Sequence, residues 1–317
     1  MKGFSIIKGN IIWIVLASAF FYMALILFSD VNKISEHFFH IRPELVFLIF
    51  FVGFSSHIIK SLRQKEFLKT AGEKIPFKPN LVIYLSGLSL ISTPGGIGTL
   101  VKSKYLEKQF GIPNNKSISV ILLERYHDLL ATTTIVILTL FISFSLLSST
   151  LAVISCLLLI GFYFMVTKLN VFSYIQRKLL TINFLADKLT HIDTNESFSV
   201  LTRPTPMLKG LLLSLGGWGL DALAVYIGFL AFNIDLEYLV ISQIYFTSLG
   251  YGILSLIPGG IGVTEGIFDY MLVNKGLDLS IASSIVIFTR LTTIWFVTIL
   301  GIVFTRYAIK QKSSRKK

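Results

Sequence analysis

Cysteine, charge and enzyme signatures are all scarce in this chain of 317 residues. Its single cysteine, Cys156, excludes an intramolecular disulfide, and no Cys/His spacing suits a zinc site. Charged residues make up 15% of the chain. An ordinary soluble domain carries about 25%, so that class is excluded. No HExxH, GxSxG, Walker or dinucleotide-binding fingerprint occurs, and no cofactor is expected. Alternating segments of about ten residues, the mark of a membrane β-barrel, are missing too.

Apolar residues are what the chain has: 53% of it, with a mean hydropathy of +0.74. They fall in eight blocks, 11–28, 45–62, 81–98, 117–147, 149–167, 209–232, 238–257 and 281–305, with charges crowded between them. A helix crosses a bilayer with about 20 apolar residues, so an all-α polytopic integral membrane protein is expected. Block 11–28 follows Lys2 and Lys8 and is longer than the 7–15 residues or so of a signal-peptide core. It reads as the first membrane helix. The net charge of +12 lies in the loops between blocks, which points to orientation by the positive-inside rule rather than to nucleic acid.

Two blocks, 81–98 and 238–257, run into the same pentapeptide, Pro-Gly-Gly-Ile-Gly, at 94–98 and 258–262. Proline and glycine break a helix there. Broken backbone at membrane depth survives only inside protein or beside a water-filled cavity. If all eight blocks cross, the inner loops hold 14 Lys and Arg and the outer loops 13. If 81–98 and 238–257 are re-entrant, the division is 24 inside to three outside, with Arg125 and Arg290 in the membrane. The charge rule prefers the second arrangement: six spanning helices, two re-entrant segments, and both termini cytoplasmic in the cell membrane.

That topology contains a duplication within a single membrane domain, 1–317. A first repeat, 45–147, and a second, 209–307, each read as spanning helix, re-entrant PGGIG segment, and a helix carrying an arginine, in opposite orientations. Inverted repeats with broken helices are a common transporter design. Between them, 168–208 is a cytoplasmic connector, in which Phe172, Ile175, Leu179 and Leu189 fit either a helix on the leaflet surface or a plain linker.

The candidate site residues follow from cost. Charged side chains inside a membrane helix are expensive and mark function. Arg125 sits in Glu124-Arg125-Tyr126-His127-Asp128, and Arg290 is its counterpart in the second half. Arg125 reads either as a ligand for an anion or as a structural partner of Asp128 or Glu124. Each PGGIG, through Gly95, Gly96 and Gly98 or through Gly259, Gly260 and Gly262, can start a half-helix whose N-terminus attracts anions. Lys102 and Lys104 follow the first copy, Glu265 and Asp269 the second. These carboxylates could balance the arginines, carry protons, or lie in a loop. Asp221, in an apolar block, satisfies a neighbouring helix or lines a cavity.

Pro-Gly-Gly-Ile-Gly-x-x-Glu at 258–265, the earlier PGGIG with Lys102, and Glu-Arg-x-x-Asp at 124–128 resemble the transmembrane region of lysylphosphatidylglycerol synthases. The same region occurs alone in flippase-like membrane proteins. The resemblance spans nearly the whole chain. It implies movement of an anionic or aminoacylated lipid head group, a phospholipid or a polyisoprenyl phosphate, with a lipid-modifying enzyme as possible partner. It does not imply synthase activity, because the chain ends soon after its last helix. Arg125, Arg290 and the glycine turns would hold phosphate, and Glu265, Asp269 and Asp128 would offset charge. Two rival expectations remain: an intramembrane transferase using Glu124, His127 and Asp128, and a non-transporting assembly partner.

Overall fold

The computed structural model describes residues 31–39, 41–167 and 195–314. Block 11–28 and most of the 168–208 connector lie outside them. Among the described residues every regular element is helical. A short helix α1 (Val31–Phe39) leads into α2 (Pro43–Thr70), 28 residues long. A broken pair follows: α3 (Phe77–Gly87), two 3-10 turns at Leu88–Leu90 and Pro94–Leu100, then α4 (Val101–Phe110). Next come α5 (Asn114–Leu140), α6 (Leu146–Thr167), α7 (Asn195–Leu201) and α8 (Pro204–Ala231). The second broken pair is α9 (Tyr238–Leu254), a turn at Pro258–Gly260, and α10 (Val263–Val273). Finally α11 (Leu279–Arg290) runs through a π turn at Leu291–Trp295 into α12 (Phe296–Ser314).

Among the described residues, four helical stretches are long and apolar enough to cross a membrane: Pro43–Thr70, Leu146–Met165, Pro204–Ala231 and Leu279–Ile309. Helix α5 has 27 residues, about 40 Å, but carries Lys116, Glu124, Arg125 and Asp128 and is therefore less apolar. The 117–147 block is divided differently from the sequence expectation. Its helix stops at Leu140, and α6 begins at Leu146, because Phe141–Ser145 forms a turn. The arms α3 and α4, with 11 and 10 residues, are about half as long as a hydrocarbon core is thick.

Helices α2 and α8 match in detail. Each has 28 residues, starts on a proline and follows an arginine, Arg42 or Arg203. Proline suits a first helical position, where its missing N–H costs nothing. Each is followed by a left-handed residue that stops it, Gly72 (φ 86) or Asn233 (φ 59). The offset of 161 residues that relates these features also relates the first residues of α3 and α9, Phe77 and Tyr238. Past the broken pairs the offset becomes 165: it takes Gly111 to Gly276, the first residue of α5 to that of α11, and Arg125 to Arg290.

The two matching helices pack against each other antiparallel. Arg42 at the start of α2 donates to Asn233 Oδ1 beyond the end of α8 (2.5 Å), and further along Arg63 Nη1 donates to Ser214 Oγ (2.6 Å). Between these, Lys60 pairs with Asp221. Gly217 allows the approach, since a Cβ there would stand 2.8 Å from the Lys60 side chain. One apolar core, with Phe229, Ile244, Phe246, Phe268 and Val286, joins α8 to α11, and a second, with Phe67, Ile83, Leu106 and Leu123, ties the first broken pair to α2 and α5.

Candidate functional site

The two PGGIG turns touch each other. Left-handed backbone makes the turns: φ is 58° and 67° at Gly95 and Gly96, and 67° and 66° at Gly259 and Gly260. Only glycine adopts this cheaply. Gly98 is required for space instead, because a Cβ there would fall 2.5 Å from Leu90 Cβ.

Both turns border one cavity of about 310 Å³. Gly95, Gly96 and Arg125 line one part of it, and Gly259, Gly260 and Thr264 another. Most of the remaining wall is apolar, from Leu151, Leu158, Phe246, Ile253, Ile257 and Ile294. Among the described residues, Arg125 and Asp128 are the charged residues of the wall. A Cβ on Gly96 would lie 3.9 Å from Arg125 Nη1, so the guanidinium stands beside the first turn. Its side chain is 31% exposed, and Nη1 is 3.2 Å from Asp128 Oδ2. Its buried Nε has no hydrogen-bond partner, and neither do the hydroxyls of Thr133 and Thr264, two further wall residues.

Asp128 is crowded with donors. Its Oδ1 accepts from Arg63 Nη1 at 2.8 Å and from Trp218 Nε1 at 3.0 Å, while Oδ2 faces Arg125. Lys60, paired with Asp221, lies 3.4 Å over the Trp218 ring. A polar chain therefore runs from the α2–α8 contact to the cavity wall.

Arg290 has a different environment from Arg125. It is buried, its Nε donates to Glu265 Oε1 at 2.8 Å, and its Nη2 donates to the carbonyl of Gly259. The other Glu265 oxygen accepts from Gly262 N–H at 2.8 Å, capping α10. The chain's own carboxylate thus occupies the N-terminus that follows the second PGGIG. At the first copy, the Thr93 hydroxyl takes the Gly98 N–H at 2.7 Å. Glu124 is fully buried and pairs with Lys102, which also donates to Gln64 Oε1 at 2.9 Å. Each broken pair is thus tied to the next long helix by one buried ion pair.

Of the residues singled out in the sequence, Gly95, Gly96, Arg125, Asp128, Gly259 and Gly260 come together at the cavity. Gly98, Gly262, Glu124, Glu265 and Arg290 support its walls from behind. Asp269 stands apart, buried on α10, where Ser283 Oγ donates to it at 3.3 Å. Lys60, Arg63 and Lys102, counted in the sequence as loop charges, are instead buried inside the protein. Removing them from the expected division leaves 21 Lys and Arg on the side expected to be inner and three on the side expected to be outer.

These features define an all-α polytopic membrane protein with two broken helical pairs meeting at an internal cavity. The chain belongs to the family of the lysylphosphatidylglycerol synthase TM region, whose profile matches residues 11–301. A UPF0104 membrane protein of Methanocaldococcus jannaschii is 24% identical over 340 residues, covering 100% of this chain and 99% of the relative. A second from that organism is 27% identical over 224 residues, 66% of this chain and 89% of the relative. One from Pyrococcus horikoshii is 31% identical over 107 residues, about a third of either chain.

Proposed function

We propose that this protein moves an anionic lipid head group across the cell membrane, with both termini on the cytoplasmic side. The observation that carries this reading is Arg125, a guanidinium side chain 31% exposed on the wall of an otherwise largely apolar cavity between two broken helical pairs. A planar guanidinium suits phosphate oxygens. Exposed apolar side chains at the cavity, Leu158 (47%), Ile253 (52%) and Ile257 (42%), suit lipid tails.

In this reading the duplicated arginines have separate duties. Arg125 binds phosphate, while Arg290 holds the second glycine turn in shape through Glu265 and the Gly259 carbonyl. The antiparallel match of α2 with α8 supports an inverted repeat. Alternate movement of the two broken pairs would expose the cavity to one leaflet and then the other.

A transferase draws less support. His127 has both ring nitrogens at backbone carbonyls, Leu123 O at 2.9 Å and Met207 O at 3.1 Å. Glu124 and Asp128 are held by cations, so none of the three is poised as an acid or base. The test is reconstitution in liposomes with a fluorescent short-chain phosphatidylglycerol and a membrane-impermeant quencher. Protein-dependent loss of the protected inner-leaflet signal, reduced by Arg125→Gln, is expected. An unchanged protected fraction rejects the transport reading.

A further inference from the structure

We infer that the cavity selects a lipid whose head group bears a single phosphate and no amine, and that it discriminates against aminoacylated lipids. This rests on the proposal that the cavity binds a lipid head group. The wall offers phosphate and ammonium different partners. A phosphate meets the Arg125 guanidinium, 31% exposed on the wall, while the partnerless hydroxyls of two further wall residues, Thr133 and Thr264, are buried within it and reach a ligand only by turning outward. These supply hydrogen-bond donors.

An ammonium needs an acceptor with negative charge to spare. Asp128 is the acid on the wall among the described residues, and it is already committed to Arg63, Trp218 and Arg125. Glu265 is likewise engaged, with Arg290, and Glu124 pairs with Lys102 through one oxygen while its Oε1 is buried without a partner; neither carboxylate lies on the wall. Asp269 is off the wall as well. A lysyl or alanyl ester would thus bring its cation beside guanidinium groups, with no uncommitted carboxylate of the described wall to receive it. Like charges brought together in a water-poor site repel strongly.

The number of free donors also limits the anion. Lys60, Arg63, Lys102 and Arg290 are all buried in ion pairs. That leaves Arg125 as the cation of the wall among the described residues, which matches one phosphate rather than a diphosphate. The apolar remainder of the wall asks for a hydrocarbon chain on the same molecule, so free phosphate satisfies only part of the site.

The test is competition binding with full-length protein in detergent, using radiolabelled short-chain phosphatidylglycerol as the probe. Unlabelled competitors are the same lipid, its lysyl ester, a short prenyl phosphate, a short prenyl diphosphate and inorganic phosphate. The phosphatidylglycerol and the prenyl phosphate should compete comparably, and the lysyl ester at least about tenfold more weakly, a difference of about 1.4 kcal/mol. The diphosphate should gain nothing over the monophosphate, and inorganic phosphate should compete only at far higher concentration. Arg125→Gln and Thr133→Val should each weaken the probe while thermal unfolding stays close to wild type.

Equal or tighter binding of the lysyl ester overturns the inference, as does tighter binding of the diphosphate. Equal potency of inorganic phosphate rejects the lipid part of it, and no binding by any probe rejects it whole. The two readings fail separately. Correctly ordered binding without movement in liposomes rejects transport alone. Movement that favours the lysyl ester keeps transport and rejects the selectivity.

Discussion

Lys60 and Asp221 are each the eighteenth residue of a 28-residue helix, and they pair with each other. Where two equivalent helices cross antiparallel, the residue nearest the crossing meets its own counterpart. In an oligomer the same rule defines a two-fold contact. Opposite charges at these matching positions attract, as identical residues there could not. Both side chains are largely buried, at 5% and 13% exposure, so each needs the other.

Reversal should therefore be tolerated better than loss. Asp221→Ala leaves Lys60 buried without its partner and should cost about 3–5 kcal/mol, seen as low membrane abundance or a lower unfolding temperature. Lys60→Asp combined with Asp221→Lys should recover a substantial part, because the two residues hold the same place in matching antiparallel helices. A double variant no better than the worse single variant would argue against that placement. The Lys60 ammonium over the Trp218 ring sets the limit on recovery, since the exchanged lysine has no such ring in place.

The two arginines should separate by readout. Arg290→Ala breaks a buried pair with Glu265 and frees the Gly259 carbonyl. It should reduce stability by about 3–5 kcal/mol. Adding Glu265→Gln should restore part of this, because glutamine removes the stranded charge and still accepts from Gly262 N–H. Arg125→Ala leaves Asp128 with Arg63 and Trp218, so it should cost about 1 kcal/mol or less. Its effect should fall on lipid movement. The comparison is thermal unfolding beside the liposome assay for each variant; equal losses of stability would contradict the division of duties.

Leu256 offers a test of strain beside the second glycine turn. It is not glycine, yet its φ is 56°, and it lies two residues before Pro258. Left-handed backbone costs an ordinary residue about 1–2 kcal/mol. The side chain is 66% exposed, so little packing is lost on removing it. Leu256→Gly should therefore raise stability by up to about 1 kcal/mol, measured as a higher unfolding temperature. If Leu256 instead grips lipid, the variant will gain no stability in detergent and lose lipid movement.

The helical blocks and the glycine turns were legible in the sequence because each has a local cause: an apolar run of spanning length, or a proline followed by glycines. Arg125 was legible for the same reason, as a charge inside an apolar block. The buried cations of α2 were not. Lys60 and Arg63 fall where apolar block 45–62 gives way to polar sequence, and there a charge looks like a loop charge. Their partners, Asp221 and Asp128, are 161 and 65 residues away. One signal was present: Asp221 in an apolar block demands a cation, and aligning Pro43 with Pro204 places Lys60 opposite it. The Glu265–Arg290 pair was legible as one of several readings, in which Glu265 or Asp269 balances the arginines; which carboxylate does so is set by packing across 25 residues, while the Glu265 capping position is local.

Burial also decides how the membrane orientation should be tested. Ser103 looks like a loop site in the sequence but is only 6% exposed, so a cysteine there would resist labelling on either side. Lys104 and Lys108, on the outer face of α4, are exposed, as is Asn274 after α10. With Cys156 replaced by serine, cysteines at Lys104 and Lys108 should react with a membrane-impermeant maleimide only when the cytoplasmic face is open to it. A cysteine at Asn274 should react in intact cells. The inner-to-outer bias of basic residues, still 21 to three after the buried cations are removed, drives the expectation. Labelling of the Lys108 site in intact cells would put the α4–α5 loop outside, so the first broken pair would cross the membrane and the inverted relation of the two halves would be lost.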